Sequence, residues 1–267
     1  MKKYLFAVAV ALLSMTSVNA QTNIQLHFDT GSFLYQGKNG KKSDLSRDGS
    51  NRQFLTATIE HFNADRFGSN YFFVDLDFAS PLGADGKSTW SGVRGAYTEI
   101  GREWCFWKGT KLEGLSAHME YDGGLDRYSG SYNDAWLFGP TYSIHNGDYS
   151  FTASLSALYK VIPGNTKSKS NFQITGVWGY HFLNRMLSFS GFFDVWMENR
   201  PWQLGAKGDK DNDGTDFIFI SEPQFWFNLN AVCEDVNLSF GTEIELSNNF
   251  VGTGFYCCPT IAAKYTF

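Results

Sequence analysis

TIAAKYTF, residues 260–267, closes the chain. Ile261, Ala263, Tyr265 and Phe267 share one parity, and Ala262, Lys264 and Thr266 share the other. Successive side chains of a strand point to opposite faces, so this ending is apolar on one face and polar on the other. A β-barrel of the bacterial outer membrane needs such a strand where its last strand closes on its first at the lipid interface. The pattern recurs upstream. NYFFVDLDF (70–78) sets Phe72, Val74, Leu76 and Phe78 against Tyr71, Phe73, Asp75 and Asp77. LSFSGFFDVWME (187–198) sets Leu187, Phe189, Phe193, Val195 and Met197 against Ser188, Ser190, Asp194, Trp196 and Glu198, and VNLSFGTEIEL (236–246) sets Val236, Leu238, Phe240, Ile244 and Leu246 against Asn237, Ser239, Glu243 and Glu245. The apolar set faces lipid, because Lys or Arg at mid-bilayer costs about 2–4 kcal/mol on that face.

Period-two runs bounded by turn residues number about twelve, the even count that a single-chain bacterial barrel requires. They fall near 23–34, 53–63, 70–79, 95–106, 112–121, 136–144, 149–159, 171–181, 187–198, 217–229, 236–246 and 257–267. The links at 64–69, 107–111, 145–148, 182–186 and 230–235 are short, whereas the alternate links are mostly longer and more polar. Periplasmic turns and extracellular loops produce that alternation, and a secreted β-sandwich has no reason to. The expected fold is an all-β, transmembrane, antiparallel up-and-down β-barrel of about twelve strands with both termini in the periplasm.

The start of the chain names the compartment. Lys2 and Lys3 precede an apolar stretch from Leu5 to Leu13, and Val18-Asn19-Ala20 forms a small-residue cleavage site. Residues 1–20 read as a signal peptide and 21–267 as the barrel in the outer membrane. Aromatics reach 17% alongside 27 Gly, as suits a wall with one lipid face and one lumen face. The leader carries Lys2 and Lys3 and no acid, so its removal takes the formal net charge from −5 to −7. That balance argues against binding a nucleic acid polymer, which wants a basic stripe.

The lumen parity collects Asp29, Glu60, Asp75, Asp77, Glu99, Glu120, Asp194, Glu198, Glu222, Glu243 and Glu245 against few cations such as Lys160 and Lys264. His27, His118, Tyr71, Tyr97, Phe192, Trp196 and Trp226 join them. An acidic lining repels anions and passes cations or neutral polar solutes, and aromatic rings offer stacking faces to sugars or bases. The same groups, hydrogen-bonded across a plugged lumen, would instead make a structural or adhesion barrel. Eight strands enclose only side chains or one small ligand and sixteen to eighteen leave an open channel, so about twelve predicts a narrow or partly filled pore.

EHFNADRFGSNYFFVDLDF (60–78), AYTEIGR (96–102) and the ending KYTF resemble stretches of the Tsx-like nucleoside-specific channel-forming outer-membrane proteins. The overall look is closer still to a Bacteroidetes outer-membrane family defined by a domain of unknown function. The terminal aromatic strand resembles the signature by which the barrel-assembly machinery recognises its clients. The resemblance implies a twelve-stranded monomeric barrel and passive uptake of nucleosides or similar small solutes. It places Glu60, Asp75 and Glu99 in matching pieces on the lumen parity. Arg102 would need a bulge at Gly101 to turn inward, since strict alternation sends it to lipid beside Ile100. The candidate solute-binding set is Glu60, Asp75, Asp77, Tyr97, Glu99, Arg102, Asp194 and Glu222, in a chain expected to be no enzyme and to need no cofactor.

One further motif lies in a loop. DKDNDG (209–214) spaces Asp209, Asp211 and Asp213 like the opening of a Ca²⁺ loop, but position twelve is Ile220, where a bidentate Glu belongs. A solvated acidic loop at 209–216 is the plainer reading. A lipid-modifying barrel enzyme is a remoter alternative. His181 is read on the lipid parity with no Ser of a recognisable motif level with it, and no Gly-x-Ser-x-Gly elbow, phosphate loop or zinc spacing occurs.

Overall fold

The computed structural model describes residues 20–31, 34–36, 55–78, 92–127, 130–163, 169–198, 216–250 and 254–267. The strand segments are β1 (Ala20–Asp29), β2 (Leu34–Gln36), β3 (Leu55–Asp65), β4 (Gly68–Phe78), β5 (Val93–Trp104), β6 (Leu115–Asp126) and β7 (Gly130–His145). They continue with β8 (Phe151–Val161), β9 (Ser170–Phe182), β10 (Leu187–Glu198), β11 (Asp216–Ser221), β12 (Gln224–Asn228), β13 (Leu238–Asn248) and β14 (Phe255–Thr266). Each pairs antiparallel with its neighbours. β1 also pairs with β14, from Asn23↔Thr266 to Asp29↔Thr260, so the sheet closes on itself.

Twelve passes make the ring. β11 and β12 are one pass interrupted at Pro223, which has no N–H to give the ladder. β10 pairs with both in one register, Asp194↔Ile220 and Ser190↔Gln224. The three-residue β2 adds only a short pairing to the start of β14. At the end of the barrel that carries the termini, turns are tight. Phe67 N–H donates to Asp65 Oδ1 at 2.7 Å, and Gly68 follows at φ +151°, where a Cβ would stand 1.9 Å from the Glu103 carbonyl oxygen. In the turn at 146–150, the N–H and hydroxyl of Ser150 both donate to Asp148 and hold its carboxyl below the usual range.

The faces are inverted relative to a water-soluble protein, whose apolar side chains go inside. Ile261 is 67% exposed on the outer face, with Leu26, Ile100, Leu155 and Phe240 likewise exposed, while Gln25 is 2% exposed inside. A closed barrel that satisfies every wall strand by its neighbours and turns its apolar side chains outward is the spanning architecture of the bacterial outer membrane, and the chain is such a barrel.

Two details depart from the sequence reading. β6 and β7 run longer than the stretches 112–121 and 136–144, so the link between them is only 127–129 rather than a long loop. The cause is a bulge: the register shifts between Asp122 and Gly124, and Asp134 adopts φ 50°, which breaks the alternation that marks a strand. The interior is also not uniformly polar. Ala135, Leu137, Leu158 and Ile162 form one buried apolar cluster, and Trp196, Ile218 and Ile220 form another. The barrel is therefore partly filled by its own side chains.

Candidate functional site in the barrel lumen

A cavity of about 450 Å³ lies inside the barrel. Glu60 from β3, Asp75 and Asp77 from β4, Tyr97 and Glu99 from β5, Asp194 from β10 and Glu222 beside Pro223 all line it, together with Asp29, Asp122, Glu243 and Glu245. Alternation delivers them: in β4 the lumen receives Tyr71, Phe73, Asp75 and Asp77, as their parity predicts.

Neutral donors hold several of these carboxylates. Thr58 donates to Asp75 at 2.5 Å, Thr56 to Asp77 at 2.7 Å, Tyr97 to Glu99 at 2.9 Å, Thr175 to Asp194 at 2.5 Å and Gln224 to Glu243 at 2.6 Å. Glu60 accepts from Asn23 and Gln25 at 3.3 and 3.2 Å. Hydroxyls and amides orient a carboxylate without bringing a counter-charge of their own. The lining cation Lys160 donates its Nζ to Gln173 at 2.9 Å, sits 4.3 Å from the Trp196 ring centroid and attracts Asp122 and Asp194 electrostatically. Tyr71, Phe73 and Tyr97 form a run of rings along the wall, with centroids 6.1 and 5.9 Å apart.

Toward the terminal end, Trp226 and Lys264, which do not line the cavity, pack with His27 and Gln224, which do. Trp226 is 1% exposed, donates to Gln224 at 2.9 Å, meets His27 edge-on and carries Lys264 Nζ 4.0 Å from its ring centroid. On another part of the wall, Glu103 accepts from Ser116 and pairs with His118 Nδ1 at 2.5 Å. These packed side chains fill part of the lumen toward the terminal end.

Arg102 does not line the cavity. Pairing of β4 with β5 runs unbroken from Gly68↔Trp104 to Asp77↔Gly95, so Gly101 makes no bulge and Arg102 keeps the outer parity of Ile100. Both of its terminal nitrogens reach Asp65, at 2.9 and 3.1 Å, at the terminal end of the wall. Glu103 stays inside. His181 is likewise corrected. It pairs in register with lumen-facing Ser188 and bonds that hydroxyl at 2.8 Å, so it faces the lumen rather than lipid. Asp209, Asp211 and Asp213 lie outside the described residues. Asp122 and the amides of Gln25, Gln173 and Gln224 line the cavity without having been picked from sequence. Asp122 was one residue beyond the stretch read as a strand, and its pairing with Glu99 emerges only once β6 is carried through the bulge.

The family described as "Domain of unknown function (DUF5020)" matches residues 20–267. The chain belongs to this family. No curated protein matches the DUF5020 chain. Among solved structures it is similar to the outer membrane channel DcaP of Acinetobacter baumannii, at 10% identity over 93% of this chain and 96% of that one, with a TM-score of 0.40. It is also similar to Pseudomonas aeruginosa OccK2 (OpdF) in complex with glucuronate, at 10% identity over 93% and 97% of the two chains with a TM-score of 0.42. A third similarity, to Pseudomonas aeruginosa OccK5 (OpdH), is 9% identical over 80% of this chain and 58% of that one, with a TM-score of 0.39. These superpositions are loose, and the architecture of the DUF5020 barrel rests on its own strand closure and inverted faces.

Proposed function

We propose that this barrel is a passive outer-membrane channel for small polar solutes that are neutral or cationic, with nucleosides as the favoured class. The observation that carries the reading is the lumen cavity of about 450 Å³, walled by carboxylates from several strands and by the rings of Tyr71, Phe73, Tyr97, Phe192 and Trp196. A volume in the 300–1,000 Å³ range suits one small molecule at a time. Carboxylates accept hydrogen bonds from the hydroxyls of a ribose, rings stack on a base, and the net negative field turns anions away. The function is passage, with no catalysis assigned.

In this reading the termini and tight turns face the periplasm, residues 1–20 are removed on export, lipid surrounds the wall, and the terminal strand ending at Phe267 is what the barrel-assembly machinery engages. A second reading, a structural or adhesion barrel with a plugged lumen, draws support from the buried Trp226 and its packed neighbours. Liposome swelling separates the two. Proteoliposomes that swell in nucleosides faster than empty liposomes support the channel. Rates equal to those of empty liposomes for nucleosides and sugars alike leave the plugged barrel.

A further inference from the structure

Three carboxylates converge on the wall made by β5 and β6. Glu99 stands directly opposite Asp122, and Glu120 stands opposite Gly101 on the same lumen face. One oxygen from each of Glu99, Glu120 and Asp122 lies within 4.8 Å of the others. Like charges directly opposite across a strand pair are destabilising, so this wall needs a partner of positive charge or it strains against itself.

The neighbours supply that partner only in part: His118 pairs with Glu120, and Lys160 attracts Asp122 without donating to it. Tyr97 donates one hydrogen bond to Glu99 at 2.9 Å, and His118 Nε2 lies 3.3 Å from Glu120 Oε2. Asp122 is only 4% exposed, and its Oδ1 is buried with no hydrogen-bond partner among the described residues. A carboxylate oxygen withdrawn from water without a donor is costly, and it points to something that the protein chain alone does not provide. Lys160 on β8 attracts Asp122 electrostatically, but its Nζ donates to Gln173 and lies over the Trp196 ring, so it leaves Asp122 Oδ1 without a donor.

The ligand chemistry selects the occupant. All three groups offer hard oxygen, with no thiolate, the set preferred by Ca²⁺, Mg²⁺ and Mn²⁺ rather than by Zn²⁺ or copper. Ca²⁺ takes oxygens at 2.3–2.6 Å, so two oxygens facing each other across it stand about 4.6–5.2 Å apart, and the cluster fits within that span. Mg²⁺ demands a tighter and more regular octahedron. We propose that the lumen holds a divalent cation of the Ca²⁺ class between Glu99, Glu120 and Asp122. Tyr97 and His118 orient the ligands from behind, as outer partners of metal carboxylates do. The ion offsets most of the charge of this wall and leaves the carboxylates of β3, β4 and β10 to face solute.

The test uses the folded full-length barrel in detergent, stripped with chelator and titrated with Tb³⁺, whose luminescence tyrosines such as Tyr97 sensitise. The expected result is one saturable Tb³⁺ per barrel, displaced by Ca²⁺. Asp122→Asn and Glu99→Gln each weaken it by about 10-fold or more, whereas Asp209→Asn/Asp211→Asn/Asp213→Asn leaves it unchanged. Heat-modifiable migration on gels checks that each variant is folded, and either lumen variant alone suffices if the other does not fold. No saturable binding by the wild type, affinity unchanged in the lumen variants, or loss in the loop variant alone would overturn the proposal. Binding is read without transport, so its failure leaves the swelling experiment to judge the channel separately.

Discussion

Leu26→Arg is the sharpest probe of which face meets lipid. Leu26 is 46% exposed on β1, flanked by Ala57 of β3 and Ala263 of β14. It stands six residues from Ala20, and at about 3.3 Å per residue with a tilt of about 40° that places it roughly 15 Å up a lipid-facing band about 25 Å tall. Leu26 therefore sits close to the midplane, where Arg costs about 2–4 kcal/mol, or roughly 30- to 700-fold in the folding equilibrium. Thr58→Lys is the matched control. Thr58 lines the cavity at the height of Gln25 and donates to Asp75, so an ammonium there lands among carboxylates and should cost less than about 1 kcal/mol. Urea unfolding in liposomes, followed by tryptophan fluorescence with an unchanged slope, measures both variants. Equal costs for the two, or a larger cost for Thr58→Lys, would refute the face assignment.

Trp226→Ala should raise single-channel conductance, because it removes the largest buried side chain from those packed toward the terminal end of the lumen; unchanged conductance would place the narrowest point elsewhere. Arg102→Ala should leave nucleoside swelling rates unaltered, since its guanidinium pairs with Asp65 on the outer parity; a changed solute preference would return it to the pathway. Ca²⁺ should not alter protease protection of the 209–216 loop, because Ile220, at the twelfth position of that motif, packs with Trp196 and Ile218 and offers no oxygen; protection gained with Ca²⁺ and lost with chelator would contradict this.

The outer wall was legible in the sequence because lipid imposes one rule on every strand. Where polar and apolar residues alternate cleanly, as in 70–78 and 187–198, the structure places Asp75, Asp77, Asp194 and Trp196 inside as expected. The reading failed where alternation carries no label. Leu137 lies between Trp136 and Phe138, and Ile218 and Ile220 alternate with Phe217 and Phe219, so either parity would serve lipid and the inward-facing clusters went unseen. Asp122 was hidden by the bulge opposite Asp134. Arg102 entered the candidate set through the family resemblance and only with a bulge at Gly101; the register there is unbroken, strict alternation holds, and Asp65 satisfies the charge at the rim. Pro223 left no break in the register on β10, so a segment read as one strand is two by hydrogen bonding and one by topology.

Reversal potential in a planar bilayer under a KCl gradient tests most directly whether a narrow acidic passage runs through the barrel. Discrete conductance steps with a reversal potential favouring K⁺, shifted toward zero by Glu60→Gln/Asp75→Asn, are the predicted result. A silent bilayer with folded protein present, or a reversal potential favouring Cl⁻, would contradict it.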